Sequence, residues 1–555
     1  MDSHPNTKHI PFIILLLALL IFGLSTFRDF GLSWDEPLFY DYGEALGYAY
    51  TPTNWVSSDF DLSKSYGSSG DDHKTRGPAY LLLARTPVHL LESLGVDEAS
   101  AWHLVNFLTF LLGVYFIYRL SLRWMGEWAA FGAALLFSTQ PLLLGHAFIN
   151  PKDMPFLVFF TGALLFGFEM VDGINSKTKN VKRKMLNVLV AAFFLGIATS
   201  IRVLAPLVGI LVAIYFFVGR TGSPPNVQRD AIPLHKKLLW TLAYAILTVL
   251  FMLVSWPYLW ESPLKNFFQV FLFMSENPTG LQVLFNGEIY RAFELPRRYL
   301  PTLLGITLTE PVWPLFFLGL ATAAWEAITS FRKRWSAKTA VESKPITNYQ
   351  LPITDHWLLI TAFVIPTLYV LLLRPPMYDG FRHFLFILPP VFVVCGLGLE
   401  VIFQMVKKVG SGSTAPNWLR ATIIFALILP GIAGAAQLHP YEYAYYNSFV
   451  GGTGGAFRVY ETDYWLTCYK EAIEQIQPES RVNLFVRREP YIAARYASAN
   501  IIVRDYRAEF SQIASDDLVL VNTRTNEDRK TVHDAPTVIE VGRGGATFCV
   551  VKQVP

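Results

Sequence analysis

Six short stretches of this sequence set acids and bases at spacings suited to chemistry. GLSWDEPLFYDYG, Gly31 to Gly43, places Asp35 and Glu36 side by side among Trp34, Phe39, Tyr40 and Tyr42. HKTRGP carries Lys74 and Arg76 ahead of a proline, NPKDMP joins Lys152 to Asp153, and SIRVLAP contributes Arg202. EIYRAFELPRR adds Arg291, Arg297 and Arg298, and YDGFRHF adds Arg382 and His383. A carboxylate can take a proton from an incoming hydroxyl, a role worth about 10²–10⁴ in rate. Arginine grips a phosphate through two parallel hydrogen bonds, and lysine acts on it as a point charge. Acids of the first kind beside bases of the second would suit a reaction on an anionic, phosphate-bearing substrate.

The elements that must position these residues are read from composition and hydropathy. Charged residues make up 16% of the 555 residues and hydrophobic ones 52%, with a mean hydropathy of +0.35. Ordinary soluble proteins carry about 25% charge. Apolar stretches long enough to cross a bilayer recur near 10–27, 103–120, 128–145, 154–171, 186–201, 203–219, 238–256, 301–325, 356–373, 383–405 and 421–437. The expected fold is therefore mainly α, a polytopic membrane protein of about 11 transmembrane helices. The stretch 78–96 is apolar but interrupted by Arg85, His89 and two prolines, so it reads as a helix lying at the interface. The first apolar run lacks a cleavage site and reads as a retained signal-anchor. A net charge of +3 gives no footprint for nucleic acid.

Lys and Arg are denser in one alternating set of loops, among them RLSLRWMGE, NSKTKNVKRK and FRKRWSAKTAVESKP. The positive-inside rule puts that set, and the N-terminus, in the cytoplasm. The chain then reads as a multi-pass protein of the cell (inner or plasma) membrane. All six chemical stretches fall on the extracytoplasmic face, three within long loops at 28–102 and 257–300 and three in short outer loops. The transmembrane part spans 1–438. Beyond it, RVNLFV, NIIVRDY, DLVLVN, PTVIEVG and ATFCVVK alternate with helical runs such as LTCYKEAIEQI. Residues 439–555 are thus expected to form a small extracytoplasmic α/β domain.

Plainer roles compete for some of these residues. Trp34 and the nearby tyrosines suit an aromatic belt at the membrane surface. Glu36, Asp41 and Glu44 fit the wet face of an amphipathic helix, and Asp59, Asp61, Asp71 and Asp72 read as loop solvation. Asp153 suits the first turn of the next helix electrostatically, and Arg202 can snorkel to the interface. His146 reads as a structural hydrogen-bonding residue, and GGTGGAF as a flexible turn rather than a phosphate loop. Cys468 and Cys549 are left open as a pair.

Taken in order, WDEPLFYDYG, HKTRGP, NPKDMPF and GFRHFLFILPP resemble the motifs of GT-C class membrane glycosyltransferases, over roughly residues 1–440. The likeness is to the protein O-mannosyltransferase and aminoarabinose transferase branches. It implies an enzyme that moves a sugar from a polyprenyl-phosphate carrier to an acceptor hydroxyl by a single inverting displacement. It further implies Asp35 as general base with Glu36 beside it, Asp153 as second acid, and Lys74 or Arg76 on the donor phosphate. Lys152, Arg202, Arg291, Arg297, Arg298, Arg382 and His383 join them by position and charge. The partners implied are the lipid-linked donor, a protein, lipid or glycan acceptor, and the bilayer. A related branch holds a divalent cation with an acid-x-acid pair, whereas the opening pair here is adjacent, so the motif does not require a metal. A transporter or flippase of polyprenyl-linked saccharides is the alternative; it would place charges at the bilayer midplane and often shows inverted repeats.

Overall fold

A computed structural model of the chain describes residues 9–176, 180–218, 232–276, 279–339, 355–409 and 416–555. Parts of the loops compared for charge, 177–179, 219–231, 340–354 and 410–415, lie outside the described residues, as do the side chains of Asp71 and Asp72. The architecture is mainly helical. Among the described residues, seven helices are long and apolar enough to cross a membrane, or eight if a bent pair is one span. Three shorter apolar helices, Ile10–Thr26, Pro206–Phe217 and Trp357–Leu373, occupy further expected positions.

Prolines explain where the helices depart from expectation. The run expected as one span at 128–145 is two helices, Glu127–Ser138 and Pro141–Ile149, bent by 63°. Pro141 has no N–H to continue the first helix and opens the second. The run at 301–325 also divides, into Tyr299–Thr307 and Val312–Thr339, either side of a break ending at Pro311. The interfacial stretch forms Ala79–Ser93, with Tyr80, Leu81, Ala84 and Val88 turned inward and Leu83 and Leu90 outward.

Burial separates a central layer from a lipid-facing one. The apolar windows of Asp153–Asn175 and Arg382–Val406 are 89% and 78% buried, against 11% for Leu234–Val254. Lipid tails offer apolar side chains no hydrophobic drive to associate, so close packing through small residues must hold such helices together. Gly319 lies against the Val394 carbonyl and Gly398 against the Leu315 carbonyl, where any Cβ would sit 2.0 and 2.4 Å from the oxygens. Gly23 likewise seats the Phe107 ring.

The polar tail holds a five-stranded mixed sheet. After a hairpin of β1 (Gln282–Phe285) and β2 (Glu288–Arg291) in the long 257–300 loop, the strands are β3 (Val482–Val486), β4 (Ile501–Asp505), β5 (Leu518–Asn522), β6 (Thr537–Arg543) and β7 (Ala546–Gln553). Their order is β4-β3-β5-β7-β6. β3 pairs in parallel with β4 and β5, while β7 runs antiparallel to β5 and β6. The tail shares a core with the helices: Tyr443, Tyr464 and Trp465 are buried in the same apolar cluster as Phe148 and Leu385. Cys395, Cys468 and Cys549 are buried free thiols.

Candidate active site

Four of the chemical residues that meet in the centre come from helix termini. Asp35 immediately precedes Glu36–Ala45, Lys152 precedes Asp153–Asn175, Arg202 follows Val181–Ile201, and Arg382 opens the turn Arg382–Ile387. Helix ends leave backbone groups unpaired and carry the macrodipole, so acids at starts and bases at ends are favoured there. Asp153 at a start and Arg202 at an end both follow that rule.

These residues enclose a cavity of about 780 Å³. Asp35, Arg76, Lys152, Arg202, Arg382 and His383 line it, together with the apolar Val203, Leu204, Val270, Phe271, Phe273 and Met274. Asp35 Oδ2 accepts from Arg382 Nη1 at 2.5 Å, and Oδ1 has no hydrogen bond among the described residues. Arg382 is gripped on all sides. Its Nη2 meets Asp379 Oδ2 at 3.0 Å, and its Nη1 lies 3.8 Å from Asp153 Oδ2. Its guanidinium carbon sits 4.3 Å over the Trp465 ring and 5.2 Å over Tyr378.

Glu36 and Asp153 lie outside this lining. The Glu36 carboxylate is fully buried; it accepts from the Ser33 N–H at 2.6 Å and the Tyr40 hydroxyl at 2.6 Å, and pairs with His103 Nε2 at 3.1 Å. Its bonds fix the loop that carries Asp35, and none remains for a substrate. Asp153 is bound by Arg202 and accepts from Asn150 Nδ2 at 3.2 Å, so it orients two arginines from outside the cavity lining. Asn150 Oδ1 in turn accepts from the Lys152 and Asp153 N–H groups. His146 is buried, bonded to Asn150 and Tyr464, as its structural reading expected.

The other bases divide. Lys74 does not line the cavity, although its carbonyl accepts from Trp256 Nε1 at 3.1 Å and so helps set the turn presenting Arg76. Arg291, Arg297 and Arg298 are exposed and outside the cavity; the β1–β2 hairpin and the turn after it point them outward, with Arg298 over the Phe285 ring. Conversely, Trp34, Trp256, Tyr378 and Arg488 line the cavity. Nothing in the local sequence singles out Arg488. It arrives from the C-terminal region at the turn before Glu489, a residue in the left-handed region at φ 48.

The approach of Arg76 depends on its neighbour. A Cβ on Gly77 would sit 1.2 Å from the Ser200 carbonyl oxygen. Gly77→Ala is therefore expected to destabilise the protein by about 1–3 kcal/mol as the turn is displaced. Thermal unfolding in detergent measures this.

Electrostatics continue inward from Arg382. Asp379 Oδ1 meets Arg524 Nη2 at 2.6 Å, and Arg524 Nε donates to Glu461 at 3.0 Å. Burial raises the Asp379 carboxyl against the pull of Arg524 and Arg382. Burial lifts Glu461 to about 7, again opposed by Arg524. The alternating row of carboxyls and guanidiniums ends at Glu461, the carboxyl that burial leaves readiest to take a proton. The Lys152 ammonium is held well below the usual lysine range, by burial first and then by Arg202 and Arg76. Among the described residues no three His, Cys, Asp or Glu side chains are placed to hold a metal ion.

Comparison with known proteins gives structural likenesses only. No family model and no curated protein sequence matches the chain. Among solved structures it is similar to ArnT from Cupriavidus metallidurans in the apo state, at 14% identity and a TM-score of 0.46, over 98% of this chain and 97% of that one. It is similar to the oligosaccharyltransferase AglB from Archaeoglobus fulgidus, in complex with an inhibitory peptide and a dolichol-phosphate, at 14% identity and a TM-score of 0.43, over 92% and 69%. It is also similar to the arabinofuranosyltransferase AftD from Mycobacteria, at 13% identity and a TM-score of 0.41, over 100% of this chain and 40% of that one.

Proposed function

We propose that the protein is an integral membrane glycosyltransferase that moves a sugar from a polyprenyl-phosphate carrier to an acceptor hydroxyl at the extracytoplasmic face of the cell membrane. One observation carries this reading: a carboxylate, Asp35, whose Oδ1 has no hydrogen bond among the described residues, shares one cavity with five arginine and lysine side chains, with His383 and with apolar side chains. At about 780 Å³ the cavity falls within the usual range for small-ligand sites, about 300–1,000 Å³. Its bases suit a phosphate and its apolar side chains a prenyl chain.

In this reading the acceptor oxygen bonds to the anomeric carbon as the bond from that carbon to the phosphate oxygen breaks. Asp35 Oδ1 takes the hydroxyl proton. The electron pair leaves on the lipid phosphate, where Arg76, Lys152 and Arg202 stabilise the added charge. A single displacement of this kind inverts the anomeric centre. Asp153 acts through Arg202, and Glu36 through the loop that carries Asp35. The acceptor is a protein, lipid or glycan.

The transporter alternative fits less well, because the bases gather at helix ends around one acid rather than along a path. Purified protein in liposomes, given a radiolabelled polyprenyl-phosphate sugar and candidate acceptors, separates the two. Label in the acceptor supports transfer. Donor crossing between leaflets, with its sugar still attached, would sink the proposal.

Lys152 adds a pH signature. Its depressed ammonium regains a proton when a phosphate settles beside it, so donor binding takes up a proton. Donor affinity should then fall as pH rises through the Lys152 transition, and the donor KM should climb. Lys152→Arg, whose charge does not titrate in this range, is expected to flatten that profile in initial-rate measurements.

A further inference from the structure

Resting on the glycosyltransferase reading above, we propose that Arg524 is a positioning residue for the reaction, fixing from the C-terminal region the turn that presents Arg382 to Asp35. The turn needs holding. Asp379 and Gly380 both lie in the left-handed region, at φ 55 and φ 65, and such backbone at a non-glycine residue persists only where its surroundings hold it. Asp379 is fully buried, and its two oxygens are divided between Arg382 at 3.0 Å and Arg524 at 2.6 Å. With Arg524 present, the carboxylate has one oxygen for each guanidinium. Without it, both oxygens are free to draw Arg382 away from Asp35.

Arg524 is itself held by a dedicated support. Its N–H donates to Asn522 Oδ1 at 2.7 Å, and Glu461 takes its Nε at 3.0 Å. The next two residues, Thr525 and Asn526, are left-handed, at φ 54 and φ 59. That kink is pinned by Arg458, which donates to Asn526 Oδ1 at 3.0 Å and to both oxygens of Asp528 at 2.6 Å. Two strained turns, one beside the cavity and one in the tail, thus meet through a single guanidinium that is only 5% exposed.

The test uses the full-length protein in detergent or liposomes, with the active fraction counted by titration with tight-binding donor analogue. Arg524→Lys keeps the charge but not the fork. It is expected to lower kcat per folded molecule by about 10²-fold, the effect of a misplacement of about 1 Å, with the donor KM within about twofold. Arg524→Met is expected to fall further, so that lysine gives partial rescue. Asp528→Asn, remote from the cavity, loosens the support and is expected to lower kcat several-fold; it decides the matter if the Arg524 variants do not fold. Lower thermal stability with unchanged kcat per folded molecule in Arg524→Lys and Asp528→Asn would overturn the proposal and leave the functional reading intact. Absence of sugar transfer by the unmutated protein would instead remove the functional reading, and this inference with it.

Discussion

Asp35→Asn is expected to lower sugar transfer by about 10²–10⁴-fold, the contribution of a well-placed general base. The amide has nearly the shape of the carboxylate, and its oxygen can still accept from Arg382, but it cannot take the acceptor's proton. Arg382 keeps Asp379 at 3.0 Å, so no guanidinium is stranded in the interior and the fold should hold. Removing a negative charge from a cavity rich in bases does not weaken phosphate binding. The expected signature is therefore a collapse of kcat with an unchanged or lower donor KM, read from initial rates with labelled donor. A variant that folds and transfers sugar within tenfold of wild type would remove Asp35 from the role of base.

Substitution of Arg382 should have the largest combined effect on stability and rate. Its guanidinium is 4% exposed and meets Asp35, Asp379 and, more distantly, Asp153. Arg382→Met leaves these carboxylates facing one another without the cation between them. Breaking a buried pair by deleting one partner typically destabilises by about 3–5 kcal/mol, and thermal unfolding should report a loss of that order. Arg382→Lys keeps the charge but cannot meet Asp35 and Asp379 in one plane while stacking on Trp465. It should fold, yet lose about 1.5–3 kcal/mol of charge-assisted hydrogen bonding. If that loss falls on the transition state, kcat drops by roughly 10- to 100-fold. Near-normal turnover in Arg382→Lys would show that only the charge matters.

How much of this was legible in the sequence depends on the kind of signal each element carries. The five strands of the tail were readable because β-branched and apolar runs of five to seven residues, bounded by turn formers, leave few alternatives. The spans were readable from length, but 128–145 and 301–325 broke at Pro141 and Pro311, where hydropathy alone is blind to a missing N–H. Asp35 and Arg382 were both named as candidates, yet they lie 347 residues apart, and no local pattern encodes their contact. Glu36 shows the opposite failure. An acid beside another acid reads as a second functional group, whereas a fold that turns successive helix residues by about 100° sends it into the core. Arg291, Arg297 and Arg298 were placed by loop and charge, which do not fix the direction a side chain points. Arg488 and Arg524 sit among ordinary charged residues of a surface-like sequence. Only the packing of the tail onto the helices gives them a task.

That packing also sets an order of events during synthesis. Chains grow from the N-terminus at about 5–20 residues per second, and earlier segments fold first. The helices bearing Asp35, Arg202 and Arg382 are made before Trp465, which stacks on Arg382, and before Tyr491 and Tyr496, which bond the Trp34 carbonyl and the Leu32 N–H. A chain stalled before residue 465 therefore has its membrane helices and its charges, but not the aromatic plane or the loop anchors that hold them in place. The proposed site is thus completed only once Trp465, Tyr491 and Tyr496 have been made, and a product cut short before them lacks its aromatic plane and its loop anchors.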